Sequence, residues 1–279
     1  MELSNRKNAE IKSMLTVIVV CFNEQKRIGK TLESILRQTY KNIECIIVDG
    51  GSKDGTLELI ETYQEEFIRA GTKTQVISEP DQGIYDAMNK GIKCAAGEWI
   101  YFLNAGDDFY EEETVRKVFD NRKKEDEILI GKIIFFDGYL GKVVEQCRVE
   151  ELKENMVFCH QAIFALKELL QTHYFKTSYR YCADYEWLLA MYMNGRKIRC
   201  IDTVIANYDA DGISNNYAEL SKREMQRIRK EYGFTENINN KQKINWKYKF
   251  YKRIGKYKAL SRCFYFMYGR NREYFFKKV

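Results

Sequence analysis

Hydrophobic and polar positions follow two alternating rhythms along the first third of the chain. Leu15–Val20 is a continuous run of apolar and β-branched residues, as expected of a strand buried on both faces. Ile28, Leu32, Ile35 and Leu36 then recur at helical spacing, and Ile43–Val48 repeats the buried-strand pattern. Asp54 is placed to cap a helix from about Thr56 to Arg69, with Leu57, Ile60 and Phe67 turned inward. Thr74–Ser78 reads as a short strand, Ile84–Ala96 as a helix and Trp99–Leu103 as another apolar strand. This order predicts an α/β fold with a mainly parallel, Rossmann-like sheet flanked by helices. Ligands of such sheets bind beyond the C-terminal ends of the strands.

The middle of the chain is less regular. Glu127–Ile130, Lys132–Phe136 and Lys142–Cys147 read as short strands, Tyr185–Met193 as a helix and Lys197–Ile201 as a strand. A helix from about Glu219 to Tyr232 would close a first domain over residues 12–235. Beyond it, residues 240–279 predict a basic helical tail. Trp246, Phe250, Ile254, Tyr257, Leu260, Phe264 and Met267 fall on one helical face, with lysines and arginines between them.

Charge sharpens that division. The chain carries a net +6, but from Lys241 onward thirteen Lys or Arg stand against Glu273 alone, a net +12, which leaves −6 for the rest. The pattern of Trp246–Met267 suits a helix lying on an anionic membrane surface, or one packing its apolar face on the domain or on a second subunit. No nucleic-acid partner is expected, because no recognised binding module accompanies the charge. The only proline is Pro80, so no proline-rich linker divides the chain.

The 45% hydrophobic and 14% aromatic content fits a packed core. No apolar run approaches the ~20 residues that cross a bilayer, and the polar N-terminus lacks a signal core, so a cytoplasmic protein is expected, peripheral at the inner membrane face if the tail binds lipid. Eight cysteines occur without a C-x-x-C pair and read as free thiols in a reducing compartment. Only His160 and His173 are present, which argues against a zinc site built on several histidines.

Candidate chemistry gathers at the strand ends. Asn104-Ala105-Gly106-Asp107-Asp108 follows one buried strand, and acids there suit Mg²⁺ or Mn²⁺, which take one or two carboxylates and leave positions for phosphates. A solvated turn is the competing reading. Asp49-Gly50-Gly51-Ser52-Lys53-Asp54-Gly55-Thr56 follows another strand. Its glycines permit close approach of a ligand and Asp49 is placed to accept from a base or ribose, although a glycine turn with a helix cap reads equally well. No dinucleotide fingerprint or P-loop is present.

Together, Val17–Glu24 (VIVVCFNE), Ile47–Thr56 (IVDGGSKDGT), Ser78–Gly91 (SEPDQGIYDAMNKG) and Ala96–Asp108 (AGEWIYFLNAGDD) resemble the family 2 glycosyltransferases in content, order and spacing. The resemblance is strong over about residues 15–110 and fades towards 215. It implies an A-type glycosyltransferase fold, a nucleotide-sugar donor, a divalent cation and inverting transfer to a glycan or lipid-linked acceptor. It implies base contact for Asp49 and metal binding for Asp107, with Asp108 beside it. It also puts Phe22, Asn23, Glu24, Gly51, Ser52, Asp81, Asp86, Asn89, Lys90, Asn104, Ala105, Gly106, His160 and Gln161 around the donor. Asp184 resembles the catalytic base, with Glu186 in reserve. A helix cap is the plainer reading of Asp184. Gly50, Asn104 and Gly106 stand where many members have Asp, and the chain resembles a subset with an N-x-G-D version. Gly212-Ile213-Ser214 is a candidate loop or turn. The rival readings are a nucleotidyltransferase, whose phosphate loop is absent, and a non-catalytic, membrane-peripheral protein that binds nucleotide sugars.

Overall fold

The structure is a computed structural model that describes residues 14–137, 140–144, 149–154, 158–209, 218–234 and 274–276. Its first half follows the hydrophobic rhythm closely. The elements are β1 (Leu15–Cys21), α1 (Ile28–Leu36), β2 (Ile43–Asp49), α2 (Thr56–Arg69), β3 (Lys73–Ser78), α3 (Ile84–Cys94) and β4 (Trp99–Phe102). All residues of β1, β2 and β4 are buried, as their unbroken apolar runs require, whereas β3 lies at the sheet edge and is partly exposed. These four strands are parallel, in the order β4-β1-β2-β3.

The second half turns antiparallel. It contains β5 (Asp108–Phe109), α4 (Thr114–Asp120), β6 (Ile128–Asp137), β7 (Leu140–Val144), β8 (Ile163–Leu166), α5 (Lys167–Thr172), α6 (Ala183–Met193), β9 (Ile198–Asp209), α7 (Ala218–Glu231) and β10 (Tyr274–Phe276). β8 pairs antiparallel with β4, β6 with β8, β7 with β6 and β10 with β7, which extends one sheet to ten strands. β9 pairs parallel with β6 and antiparallel with β5.

Three sequence expectations change. The two strands expected at 127–136 are one continuous strand, β6, that runs through Gly131. A side chain there would lie 2.3 Å from Ile205, so glycine lets β9 approach, and the β6–β9 register shifts beside it. The strand expected at Lys197–Ile201 runs on to Asp209. The reading of eight free thiols also fails. Cys21, Cys45, Cys94, Cys159 and Cys182 are free, but Cys200 is disulfide-bonded. Spacing along a chain does not reveal which cysteines meet in space.

Among the described residues no helix is long and apolar enough to cross a membrane. The expected tail helix, Trp246–Met267, and the candidate loop Gly212–Ser214 lie outside the described residues. Tyr274–Phe276, farther along the predicted tail, is a strand.

Candidate active site

The loops leaving β1 and β2 are zipped together. Asn23 sits at φ +54, a left-handed conformation that asparagine tolerates. It donates its N–H to Ser52 Oγ at 2.7 Å and accepts from the Lys53 N–H at 2.9 Å. Glu24 N–H reaches Thr56 Oγ1 at 2.8 Å. Asp49 is wholly buried and accepts from the Gly51 and Ser52 N–H groups and from the hydroxyls of Ser52 and Ser78. It therefore shapes the loop that would meet a ligand. Gly50 stands where an acid is frequent because a side chain would lie 2.5 Å from Asp81 Oδ2. Phe22 lies across the same spot, exposed to solvent.

The α3 candidates divide. Asp81 and Asp86 accept from the N–H groups of Gly83 and Gln82, at 2.8 and 3.0 Å, and hold the loop before α3. Asn89 does not join them, since both ends of its amide are bonded to the backbone of Phe175, at 2.8 and 3.0 Å. Lys90 ties down the Pro80 carbonyl at 2.8 Å and pairs with Glu79.

The turn at residues 104–108 is held from α1. Thr31 Oγ1 accepts from Gly106 N–H at 2.9 Å and donates to the Asp107 carbonyl at 2.6 Å. Arg27 donates to the Ala105 carbonyl and pairs with Glu24. Gly106 sits at φ +99, and a side chain there would lie 2.7 Å from the Arg27 guanidinium, so only glycine suits it. Asp107 is buried and accepts from Gln161 Nε2 at 2.8 Å. Asp108 pairs with Lys30 at 2.5 Å and accepts from Asn207 at 2.9 Å.

Asp184, in the first turn of α6, meets this turn through His160. His160 Nδ1 lies 3.2 Å from Asp184 Oδ2, and His160 Nε2 lies 2.8 Å from Asn104 Nδ2. The other Asp184 oxygen faces the Tyr85 hydroxyl and the Tyr185 N–H, each at 2.9 Å. Burial first, and the Asp184 charge second, push the Tyr85 phenol well above its ordinary range, so it remains a donor. Glu224 on α7 braces the approach to α6 by accepting from three successive N–H groups, Arg180, Tyr181 and Cys182, at 2.7–2.8 Å.

Glu186 belongs to a different cluster. Residues two apart on a helix do not share a face. Its carboxylate is fully buried and meets Lys176 at 2.6 Å, the Tyr232 hydroxyl at 2.7 Å and His173 at 3.3 Å. Burial alone would raise its pKa, but those donors outweigh it and bring it down to about 2, from an ordinary 4.5. Because the folded value is depressed, the stabilisation is complete above about 4.5 and is lost as pH falls towards 2. Glu186→Gln is therefore expected to destabilise the fold near neutral pH by up to roughly 3 kcal/mol. In urea melts the gap from wild type should close as pH falls through that window. A gap independent of pH would show that the carboxylate charge contributes nothing.

The residues at 104–108 suit a cation bound chiefly by its ligand's phosphates. Among the described residues no three His, Cys, Asp or Glu cluster as a complete metal cage, and the hard oxygens at hand are those of Asp107 and Asp108. That fits Mg²⁺ or Mn²⁺, which use few protein carboxylates in phosphate sites. Arg27, Lys30, Tyr85 and Glu224 escaped the sequence reading. Tyr85 lies inside a recognised motif, but Glu224 acts from about forty positions away with no local signal.

Comparison with known proteins bears on the family and the fold. The family described as Glycosyl transferase family 2 matches residues 16–178. A PGL/p-HBAD biosynthesis glycosyltransferase of Mycobacterium tuberculosis is 31% identical over 213 residues, covering 74% of this chain and 81% of that protein. Glycosyltransferase GlyG of Streptococcus pneumoniae is 30% identical over 159 residues, covering 54% and 51%. The S. aureus TarS 1–349 structure with UDP-GlcNAc aligns with a TM-score of 0.60 at 21% identity, over 77% of this chain and 65% of that one. The chain spans 39% of the longer TarS structure. Mannosyltransferase PcManGT from Pyrobaculum calidifontis, in complex with GDP-Man and Mn²⁺, aligns with a TM-score of 0.62 at 16% identity, over 94% and 76%. At these identities the two solved structures show the shared fold.

Proposed function

The chain belongs to glycosyl transferase family 2, with its A-type fold, and from that premise we propose that it transfers a sugar, with inversion, from a UDP-sugar to a glycan or lipid-linked acceptor. One observation carries the reading. Asp184 and Asp107 are held by adjacent residues, His160 and Gln161, at the strand ends where this fold binds ligands. The loop shaped by Asp49 receives the nucleoside, with Phe22 and Asp81 beside it. The acceptor hydroxyl attacks the anomeric carbon opposite the diphosphate. The new C–O bond forms as the bond to the diphosphate breaks, and Asp184 takes the hydroxyl proton. An α-linked donor then gives a β-linked product. Asp107, seconded by Asp108, would hold Mg²⁺ or Mn²⁺, which when bound offsets the charge growing on the diphosphate. The nucleotide sugars bound to the TarS and PcManGT structures support the donor class.

The destination we propose is cell-surface polysaccharide or glycoconjugate synthesis at the cytoplasmic face of a membrane. The basic, aromatic Trp246–Met267 segment supports it, because that composition binds anionic lipid. Release of UDP from a panel of UDP-sugars tests the central claim. The expected result is turnover of one sugar that stops with EDTA and returns with Mn²⁺. Failure with every UDP-sugar would overturn the donor assignment. Full-length protein left wholly in solution by anionic vesicles at low salt would remove the membrane.

A further inference from the structure

The carboxylate of Asp184 has four lone-pair directions. At Oδ1, the Tyr185 N–H takes one, and the other faces the Tyr85 hydroxyl, whose single proton is shared between Asp184 at 2.9 Å and the Tyr181 carbonyl at 3.0 Å. At Oδ2, His160 Nδ1 takes one. The remaining direction is thus on Oδ2, the atom that His160 touches. Nδ1 faces a carboxylate and must carry a proton to bond there. Nε2 faces the Nδ2 amide of Asn104 at 2.8 Å, in the amide orientation that leaves Asn104 Oδ1 buried without a partner, and with Nδ2 donating Nε2 is the bare acceptor. Asn104 thereby selects the tautomer with its proton on Nδ1.

The turn that carries His160 is itself immobilised. Tyr101, stacked between Phe109 and Phe164 at 5.1 and 4.4 Å, donates to the Gln161 carbonyl at 2.7 Å. The Cys159 thiol donates to Gln161 Oε1, so the Gln161 amide nitrogen turns to Asp107. Two adjacent side chains on a fixed turn therefore reach Asp184 and Asp107 separately.

We propose that Asn104, His160 and Gln161 form a positioning device, in which Asn104 sets the His160 tautomer, His160 leaves Asp184 Oδ2 with a single open lone pair for the acceptor proton, and Gln161 fixes Asp107 relative to it. The proposal rests on Asp184 being the base. It gives a physical reason for asparagine at a position where the family often has an acid. An acid at 104 would accept rather than donate, and with Asp184 still on Nδ1 it would favour a ring protonated on both nitrogens.

Long-range ¹⁵N–¹H spectra of the full chain test the tautomer without reference to turnover. The chain has only two histidines, so His160→Asn assigns the His160 signals. The expected pattern is a ring protonated on Nδ1 and bare at Nε2, to which Asn104→Asp adds a proton on Nε2 while Nδ1 keeps its own. A wild-type ring protonated on Nε2 alone would overturn the proposal. Release of UDP with Mn²⁺ supplies the second arm. His160→Ala is expected to lower kcat about a hundredfold with donor KM unchanged, the cost of a misplaced catalytic group. His160→Asn, whose amide can donate from near the Nδ1 position, should recover most of it, and Asn104→Asp should lower kcat less than His160→Ala does, because the Nδ1 contact persists while a doubly protonated ring makes Asp184 a weaker base. Equal turnover for wild type and a folded His160→Ala would sink the device. A fully active Asn104→Asp with tighter Mn²⁺ binding would make Asn104 a vestigial metal position instead. If the wild type releases no UDP from any sugar, the donor reading fails while the spectra still decide the tautomer.

Discussion

Asp184→Asn is expected to lower sugar transfer about a thousandfold, within the range that a general base contributes, and to leave nucleotide-sugar binding unchanged. The amide keeps the volume of the carboxylate, so the helix start and its contacts with Tyr85 and Tyr185 can persist. Two things are lost. The amide has no basic oxygen to take the acceptor proton. If its oxygen stays with Tyr85 and Tyr185, its NH₂ faces the His160 Nδ1–H, donor against donor. Single-turnover transfer measured beside a donor-binding isotherm separates chemistry from affinity. Unchanged transfer would move the base elsewhere in the site. A parallel fall in donor affinity would instead make Asp184 a donor ligand. Glu186 does not rescue the variant, because its oxygens are already engaged by Lys176, Tyr232 and His173.

The sequence announces the parallel half of this fold because each strand there is a short chemical signal in itself. Leu15–Cys21 and Ile43–Asp49 are fully buried runs, and the polar loops follow them directly, so both sheet and ligand end are visible in one dimension. The antiparallel half is built from longer-range facts. Whether 127–136 is one strand or two depends on the approach of β9 at Gly131, seventy-odd positions before the partner Ile205. The site divides the same way. Asp107 and Asp184 stand out as acids at strand and helix ends. Their couplings, Gln161 to Asp107 and His160 to Asp184, cross 54 and 24 positions and leave no periodicity to read. The departures from the family pattern gain meaning only in three dimensions. Gly50 makes room for Asp81, and Gly106 makes room for Arg27.

Removal of Asp107 carries the second large effect, and two substitutions separate its causes. Asp107→Ala should abolish Mn²⁺-dependent stabilisation by UDP and lower turnover about a hundred- to a thousandfold, as loss of one element of charge stabilisation does. In the wild type, UDP with Mn²⁺ at a hundredfold above Kd would stabilise the protein by about 2.7 kcal/mol. That is a rise in Tm of roughly 5–10 °C for a chain of this size. The alanine variant also strands Gln161, a buried amide, at a cost of about 1–3 kcal/mol, so its ligand-free Tm should fall as well. Asp107→Asn removes the charge but retains an oxygen for Gln161. It should therefore melt like the wild type without ligand, yet still lose the Mn²⁺-dependent rise and the turnover. An asparagine variant that keeps both would show that the Asp107 charge does not hold the cation. Asp108 would then be the ligand, which requires it to leave Lys30 and Asn207, and Lys30→Met should in that case strengthen Mn²⁺ binding rather than leave it unchanged.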